Sequence, residues 1–154
     1  MNKLGNAYKI LIVDDDENIR NTMKTILTDK GYIVDLAING KEAIRKTDST
    51  AYNVVLLDIR LPDMEGVEIL KKMHDTVPKT RKIMLTGYPT QQNAITALNN
   101  KADVYFVKPV AVDVLLDKIQ EQIKLQEDET KFGEEKIAEF IKTKVKMLQK
   151  GNPS

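Results

Sequence analysis

Carboxylate, hydroxyl and ammonium side chains stand where four apolar runs of the sequence end. They are Asp14, Asp15, Asp16, Asp58, Thr86 and Lys108. Neighbouring carboxylates repel one another, and partial burial of a carboxylate costs more still, so such a cluster needs a positive counter-charge. Oxygen ligands without histidine or cysteine favour a hard cation, and Mg²⁺ is typically held by one or two carboxylates together with phosphate oxygens. If the runs converge, these residues would form a site for Mg²⁺, or for Mn²⁺.

Each of these residues, taken alone, has an ordinary structural explanation. Aspartate after a strand commonly caps a helix, which is the role we expect for Asp16. Threonine favours strands, as at Thr86, and a lysine before a proline, as in Lys108–Pro109, is often an exposed loop residue. Asp58 is less ordinary because it stands in VVLLDIRLP, where the pattern requires an apolar residue. Only the convergence of these residues would indicate a functional site.

The elements that would position these residues alternate along the chain. Five short runs have the pattern of strands, at 8–13, 32–38, 53–59, 82–86 and 103–107. Several are apolar throughout, which is typical of strands buried on both faces of a parallel sheet. Helical patterns follow them, at 19–27, 39–46, 66–73, 91–100 and from about residue 113, and the first is expected to end at Gly31. These patterns predict a doubly wound α/β fold, in which the carboxyl ends of the strands share the ligand-binding edge.

Composition limits the classes of function. The 154 residues are enough for one domain, and 24 basic against 23 acidic residues give no support for a polyanionic partner. The absence of cysteine excludes disulfides, thiolate metal sites and cysteine nucleophiles. No run approaches the ~20 apolar residues of a membrane span, and we expect a cytoplasmic protein without membrane contact. The sequence also lacks a glycine-rich phosphate loop, which argues against that kind of nucleotide binding.

Four segments together resemble the receiver domain of two-component response regulators. They are ILIVDDDENIR, VVLLDIRLPDMEG, IMLTGYPT and ADVYFVKPV. The resemblance covers about residues 8–125 and implies a flavodoxin-like, five-stranded parallel sheet of order 2-1-3-4-5. It also implies that a sensor histidine kinase, or a phosphotransfer protein, donates a phosphoryl group from a phosphohistidine. The face formed by the fourth helix, fifth strand and fifth helix would then signal to a downstream protein target.

The resemblance implies roles for the acidic residues. Asp58 would accept the phosphoryl group and ligate the metal. Asp15 would be the main metal ligand, and Asp14 would act beside it through hydrogen bonds or a metal-bound water. The backbone carbonyl of Arg60 would also contribute to the metal site.

The resemblance also implies how the phosphoryl group is held and sensed. Thr86 and Lys108 would each bind a phosphoryl oxygen, and the peptide bond between Lys108 and Pro109 is expected to be cis. Tyr105 matches the switch aromatic, which turns inward as Thr86 moves toward the phosphoryl group. Arg60 and Tyr88 would modulate dephosphorylation, and our hypothesis is that their bulk hinders the attacking water.

One turn departs from the pattern of the family. Lys101 occupies a position in NNKADVY where the family often has glycine. We therefore expect Asn99 or Asn100 to take the left-handed conformation that ends the preceding helix.

Residues 126–154 are predicted to form an extension beyond a receiver domain of residues 1–125. The segment QEDETKFG indicates a break, and 134–150 has the pattern of an amphipathic helix whose apolar stripe must be buried on the domain or against a second chain. We interpret its lysines as a solvated helix end, in preference to nucleic-acid binding. The extension is too short for a helix-turn-helix effector, so we expect no DNA-binding output domain. A homodimer through this helix stays open.

Three alternatives compete with a phosphorylated signalling domain. A Mg²⁺-dependent phosphatase or phosphotransfer enzyme with Asp58 as nucleophile commonly has an acid two residues later, where this chain has Arg60. A receiver that works without phosphorylation is disfavoured because every residue type of the acceptor site is present. An adaptor that contacts nucleic acid through its lysine-rich tail would show salt-dependent binding. We therefore expect a signalling domain with slow self-dephosphorylation and not an enzyme.

Overall fold

The structure is a computed structural model and describes residues 5–87 and 90–150, apart from the side chain of residue 93. The strands are Lys9–Val13 (β1), Ile33–Ala37 (β2), Val54–Asp58 (β3), Arg81–Thr86 (β4) and Val104–Val107 (β5). The helices are Glu17–Asp29 (α1), Gly40–Ser49 (α2), Gly66–Lys72 (α3), Gln91–Asn99 (α4) and Val112–Lys150 (α5). Within this described part, no helix combines the length and apolar content that a membrane span requires.

The five strands form one parallel sheet in the order β2-β1-β3-β4-β5, which confirms the predicted topology. Successive residues of a strand point to opposite faces, so Ile10 and Ile12 enter one hydrophobic cluster and Leu11 and Val13 the other. α1 and α5 contribute to the first cluster, whereas α2, α3 and α4 contribute to the second. Because both faces are covered, the inner parts of the central strands, residues 10–13, 54–57 and 83–85, are apolar.

The two ends of α1 confirm two predictions made from the sequence. The Asp16 carboxylate accepts hydrogen bonds from the backbone N–H groups of Asn18 (2.9 Å) and Ile19 (3.2 Å), so Asp16 is the amino-terminal cap. Gly31 has a φ of 93° just after the helix, and its N–H donates to the Thr28 carbonyl. Only glycine adopts this left-handed conformation without a steric cost, and the chain can therefore turn directly into β2.

The turn after α4 corrects a prediction. Lys101 itself has a φ of 70°, and neither Asn99 nor Asn100 takes the left-handed conformation. The Lys101 N–H donates to the Leu98 carbonyl and the Ala102 N–H to the Ala97 carbonyl, as in a glycine-terminated helix. The geometry of the turn determines which residue is left-handed, and lysine occupies that position at a cost of about 1–2 kcal/mol.

α5 corrects a second prediction. The break expected within residues 126–133 and the separate helix at 134–150 are wrong, because one helix of 39 residues runs from Val112 to Lys150. Glutamine, glutamate and lysine have high helix propensity, so a polar segment rich in them continues a helix. Gly133 is the least favourable residue of that segment and costs about 1 kcal/mol relative to alanine.

Polar contacts fasten the middle of α5 to the amino ends of the strands. The Gln122 side-chain oxygen accepts a hydrogen bond from Arg81 Nε at 2.9 Å. Gln126 accepts from Asn53 Nδ2 at 2.9 Å and donates to the Lys79 carbonyl at 2.7 Å. Arg81 Nη1 lies 3.2 Å from Glu129 Oε1. The domain boundary at residue 125 stays a prediction, but contacts of α5 with the rest of the domain reach Glu129.

Candidate functional site

The predicted site residues lie at one edge of the sheet. Asp14 follows β1, Asp58 ends β3, Thr86 ends β4 and Lys108 follows β5. Val13 pairs with Leu57 in the register of β1 and β3, so the next positions, Asp14 and Asp58, lie side by side. The parallel arrangement of the sheet therefore gathers residues that are far apart in the sequence.

Asp14 is buried, with 3% of its surface exposed. Its Oδ1 accepts a hydrogen bond from the Asp16 N–H at 2.9 Å, and its Oδ2 lies 3.1 Å from Lys108 Nζ. The Arg20 guanidinium donates to the Asp14 carbonyl oxygen at 2.9 Å. Sequence reasoning missed Arg20, although an arginine one turn into the helix that follows an acidic cluster could have indicated it. These contacts hold a buried carboxylate in one orientation.

Asp58 is half-buried and shares its counter-ion with Asp14. Its Oδ2 lies 3.2 Å from Lys108 Nζ, and its Oδ1 accepts a hydrogen bond from the Arg60 N–H at 3.2 Å. Burial raises the pKa of Asp58, and the charge of Asp14 adds to this effect. Lys108 and the Arg60 N–H act in the opposite direction without cancelling it. The ionised form of Asp58 is therefore held less favourably than in water.

Lys108 is the cation of the site. Burial acts to lower the pKa of its ammonium group, but the carboxylates of Asp14 and Asp58 outweigh burial, and the pKa is raised. The Lys108 N–H donates to the Thr86 carbonyl at 2.7 Å, and the peptide bond between Lys108 and Pro109 is cis. The backbone of two strand ends thus directs one ammonium group between two carboxylates.

Asp14, Asp15 and Asp58 each offer a carboxylate oxygen within 4.8 Å of the others. Asp15 is exposed, Asp58 is half-buried and Asp14 is buried, so the cluster opens to solvent on one side. Three ionised carboxylates exceed the single charge of Lys108 by two, and all the donors are oxygens. A divalent, oxygen-seeking ion such as Mg²⁺ or Mn²⁺ fits this donor set.

The loop after Asp58 is fixed by close packing at Gly66. A Cβ atom on Gly66 would lie 2.5 Å from the Asp58 carbonyl oxygen and 3.1 Å from Ile59 Cα. The Gly66 N–H donates to the Ile59 carbonyl at 2.6 Å. Glycine allows α3 to begin against the end of β3, and this packing sets the position of the Asp58 backbone.

The same loop is also joined to the amino terminus of α2. The two carboxylate oxygens of Asp63 accept hydrogen bonds from the N–H groups of Gly40 (2.8 Å) and Lys41 (2.9 Å). Hydrogen bonding by the Gly40 N–H is the main cause that lowers the pKa of Asp63. Sequence reasoning gave Asp63 no role, because this contact joins residues more than twenty positions apart. It restrains the loop that carries Arg60.

Thr86 and Tyr105 lie next to each other behind the site. Thr86 is fully buried, and the Tyr105 ring packs against the cluster that contains Leu57 and Met84. Burial raises the pKa of the Tyr105 hydroxyl, and the Thr86 side chain is close enough to act in the opposite direction. Within residues 5–87 and 90–150, the buried Tyr105 hydroxyl makes no hydrogen bond of normal geometry.

The roles of Arg60 and Tyr88 as modulators of dephosphorylation stay predictions. Arg60 is exposed beside Asp58, and its backbone forms an isolated antiparallel bridge with Glu65. The use of the Arg60 carbonyl as a metal ligand stays a prediction. Tyr88 lies outside the residues that the structure describes.

Comparison with known proteins gives one family. The family model described as the response regulator receiver domain matches residues 10–120. The transcriptional regulatory protein TrcR of Mycobacterium tuberculosis is 34% identical over 116 residues, which are 75% of this chain and 45% of TrcR. This chain thus spans less than half the length of that relative.

Solved structures agree with the family model. The chain resembles a CheY-like receiver domain protein from Methanospirillum hungatei JF-1, with a TM-score of 0.78, 44% identity and coverage of 80% of this chain and 99% of that one. It also resembles the response regulator TrrA from Thermotoga maritima in complex with Mg²⁺ and BeF, with a TM-score of 0.65, 35% identity and coverage of 75% and 98%. With the strand order and the acidic edge described above, these matches show that the chain belongs to the response regulator receiver domains of two-component signal transduction.

Proposed function

We propose that Asp58 accepts a phosphoryl group from the phosphohistidine of a sensor histidine kinase or a phosphotransfer protein. Phosphoryl acceptance is general for the family to which the chain belongs. The observation that carries the proposal for this residue is the pairing of Asp58 with Lys108 at 3.2 Å, at an edge that also holds Asp14 and Asp15. Asp58 is a nucleophile beside a fixed positive charge, and its environment is partly shielded from water.

In the transfer step, an Asp58 carboxylate oxygen forms a bond with phosphorus while the bond between phosphorus and the histidine nitrogen breaks. The electron pair of that bond stays on the imidazole of the donor. The Lys108 ammonium stabilises negative charge on the transferred group, and the Thr86 hydroxyl can donate a hydrogen bond to one of its oxygens. Such a transfer needs positioning and electrostatic stabilisation more than any other chemistry.

Asp14, Asp15 and Asp58 would hold Mg²⁺ or Mn²⁺, as argued from their donor set. When bound, this ion supplies a positive charge that offsets repulsion between the acceptor carboxylate and the phosphoryl oxygens. The raised pKa of Asp58 supports this role, because the positive charge of Lys108 does not outweigh the effects of burial and of the Asp14 charge. The solved complex of TrrA with Mg²⁺ and BeF gives further support.

We propose that the phosphorylated state is sensed through Thr86 and Tyr105. A shift of the Thr86 side chain toward the phosphoryl group would change the space next to the Tyr105 ring. Tyr105 lies in β5, and the neighbouring α4 and β5 expose the apolar side chains of Ile95, Leu98 and Val107. This face of α4, β5 and α5 is the proposed contact surface for a downstream protein. The chain is, on this proposal, a signalling domain and not an enzyme.

Incubation with Mg²⁺ and a small phosphoryl donor tests the acceptor, with the mass of the intact chain as readout. The native chain should gain one acid-labile phosphoryl group, and chelation of the metal should prevent the gain. Asp58→Asn should gain none, whereas Asp16→Asn, which keeps a capping side chain, should behave as the native chain. A native chain that stays unmodified, or an equal gain by Asp58→Asn, contradicts the proposal.

A further inference from the structure

The polar contacts described above between α5 and the strands end at Glu129, and the last part of α5 extends beyond them. We refer to residues 130–150 as the terminal helix; it is roughly 30 Å long. Every residue from 134 to 150 is exposed. Six large apolar side chains are among them. Five form a stripe, Ile137, Phe140, Ile141, Val145 and Leu148, and Met147 borders it. A contiguous apolar stripe on an isolated helix is typical of a surface that another helix covers.

The stripe continues the face of α5 that the domain buries. Ile119 and Ile123 are buried against the sheet, and Ile137 and Ile141 follow each of them after 18 positions. Eighteen residues are five turns at 3.6 residues per turn, so the four side chains share one face. The apolar face of α5 thus continues into the terminal helix, beyond the part of the helix that the domain buries.

Charge along α5 is divided into two blocks. Residues 127–139 contain six acidic residues and two lysines, whereas residues 140–150 contain four lysines and no acidic residue. Two such helices side by side repel when they run in the same direction, because equal blocks meet. They attract when they run in opposite directions, because each acidic block then lies along a basic block.

An antiparallel register centred on residue 139 also matches the sizes of the side chains. Positions at equal distances on either side of 139 then face each other, and Ile137 meets Ile141 of the second copy. Val145 would face Gly133, and Lys144 would face Glu134. The parallel register would instead bring Lys144 against its own copy and Gly133 against its own copy, which leaves a like-charge contact and a gap.

We propose that the terminal helix pairs antiparallel with the terminal helix of a second copy of this chain. The pairing covers the apolar stripe of both copies and matches the acidic block of one to the basic block of the other. The inference goes beyond the proposed function, because neither Asp58 nor a metal takes part in it.

Sedimentation equilibrium of the full chain tests whether a second copy covers the apolar stripe. We expect twice the mass of the 17.5 kDa chain, and a monomer for Ile141→Gln. Phe132→Gln is the matched control, since Phe132 is 59% exposed against 55% for Ile141 and lies nine positions away, on the opposite side of the helix. It should remain a dimer. A monomeric native chain would overturn the proposal, and it is also the result expected if the stripe folds back on its own domain. Equal loss of the dimer in both variants would overturn it as well.

A charge exchange tests the direction of the helices. Lys144→Glu should weaken the dimer by at least several-fold in Kd, because it faces Glu134, and adding Glu134→Lys should restore the affinity. In a parallel pair the double variant would keep two like-charge contacts and would recover nothing, which would contradict the antiparallel arrangement.

A single spin label gives an independent distance. The chain has no cysteine, so Gln149→Cys introduces one unique attachment site. An antiparallel pair centred on residue 139 separates the two labels by about 30 Å along the helix axis, since each residue adds about 1.5 Å. A parallel pair brings them within roughly the 8–10 Å between helix axes plus the label arms. The short distance would overturn the proposal.

Discussion

Lys108 Nζ lies 3.2 Å from Asp58 Oδ2 and 3.1 Å from Asp14 Oδ2, so Asp58 has only a share of one positive charge. The result is a carboxylate whose pKa is raised, first by burial and then by Asp14, in spite of Lys108. The ionised form of Asp58 is therefore less stable in the folded chain than in water, at the site that we propose as the phosphoryl acceptor.

This relationship predicts that Asp58→Asn stabilises the metal-free chain at neutral pH. Because the pKa of Asp58 is higher in the folded chain than its ordinary value of 3.8, the folded state binds the proton more tightly than the unfolded state. The contribution of Asp58 to stability consequently falls as the pH rises from 3.8 through the folded pKa. Urea unfolding with a chelator should show the largest gain for Asp58→Asn above this window.

The gain should disappear at pH values below this window, where Asp58 is protonated and resembles asparagine in charge. Asp16→Asn is the control, because Asp16 caps α1 and asparagine caps equally well. A constant difference between the native chain and Asp58→Asn at all pH values would show that packing, and not ionisation, is the cause.

Magnesium should stabilise the folded chain through Asp15. A ligand that binds only the folded state adds about 1.4 kcal/mol to the free energy of unfolding at ten times its Kd. Asp15→Asn removes one of three carboxylates and should lose most of this increment, whereas Asp16→Asn should keep it. Thermal unfolding with and without MgCl₂ is the measurement. Equal responses of both variants would remove Asp15 from the metal site.

Gly66→Ala should destabilise the chain by about 1–3 kcal/mol, as is typical of overpacking. The added methyl group would lie 2.5 Å from the Asp58 carbonyl, and backbone cannot move aside as a flexible side chain can. Gly133→Ala offers a matched control inside α5 when both variants are measured at a concentration at which the proposed dimer dissociates, because nothing in the single chain lies within 4 Å of the added atom. It should stabilise the helix by up to about 1 kcal/mol. Chemical denaturation of both variants checks the opposite signs.

The residues at the sheet edge could be predicted from sequence for two reasons, the apolar character of the strands and the parallel topology of the sheet. A strand buried on both faces is apolar until it ends, so Asp58 marks the end of β3 directly, and Lys108 follows the apolar run of the edge strand β5. Parallel topology then brings those ends together without any knowledge of loops. The role of each residue came from the resemblance of the motifs to a family, whereas the positions came from the pattern of the chain.

Contacts that depend on loop conformation could not be predicted in this way. Asp63 holds the amino terminus of α2, and this contact has neither a period nor a fixed spacing in the sequence. Lys101 shows the same limit, because the turn that forces its φ of 70° is closed by hydrogen bonds to α4 and not by a local preference of lysine. The predicted break in α5 failed because polar composition alone does not separate a loop from an exposed helix.

The buried hydrogen bonds of Gln126 in α5 lead to a prediction about stability. It is buried and joins Asn53 and the Lys79 carbonyl, so Gln126→Ala leaves buried polar groups without these hydrogen bonds. We expect a loss of about 1–3 kcal/mol in the free energy of unfolding. Gln120→Ala, at an exposed position of the same helix, should change stability by less than about 0.5 kcal/mol.

The same contacts bear on where the receiver domain ends. A chain that stops at residue 125 would lack Gln126 and Glu129, and it should be less stable than one that stops at residue 133 by at least the loss seen in Gln126→Ala. Urea unfolding of the two truncated chains, with the full chain as reference, measures this difference. Equal stability of the two truncated chains would place the boundary at 125. Greater stability of the chain that stops at residue 133 would move the boundary to the turn of α5 that follows Glu129. The polar contacts of α5 with Asn53 and Arg81 would then be part of the folded domain.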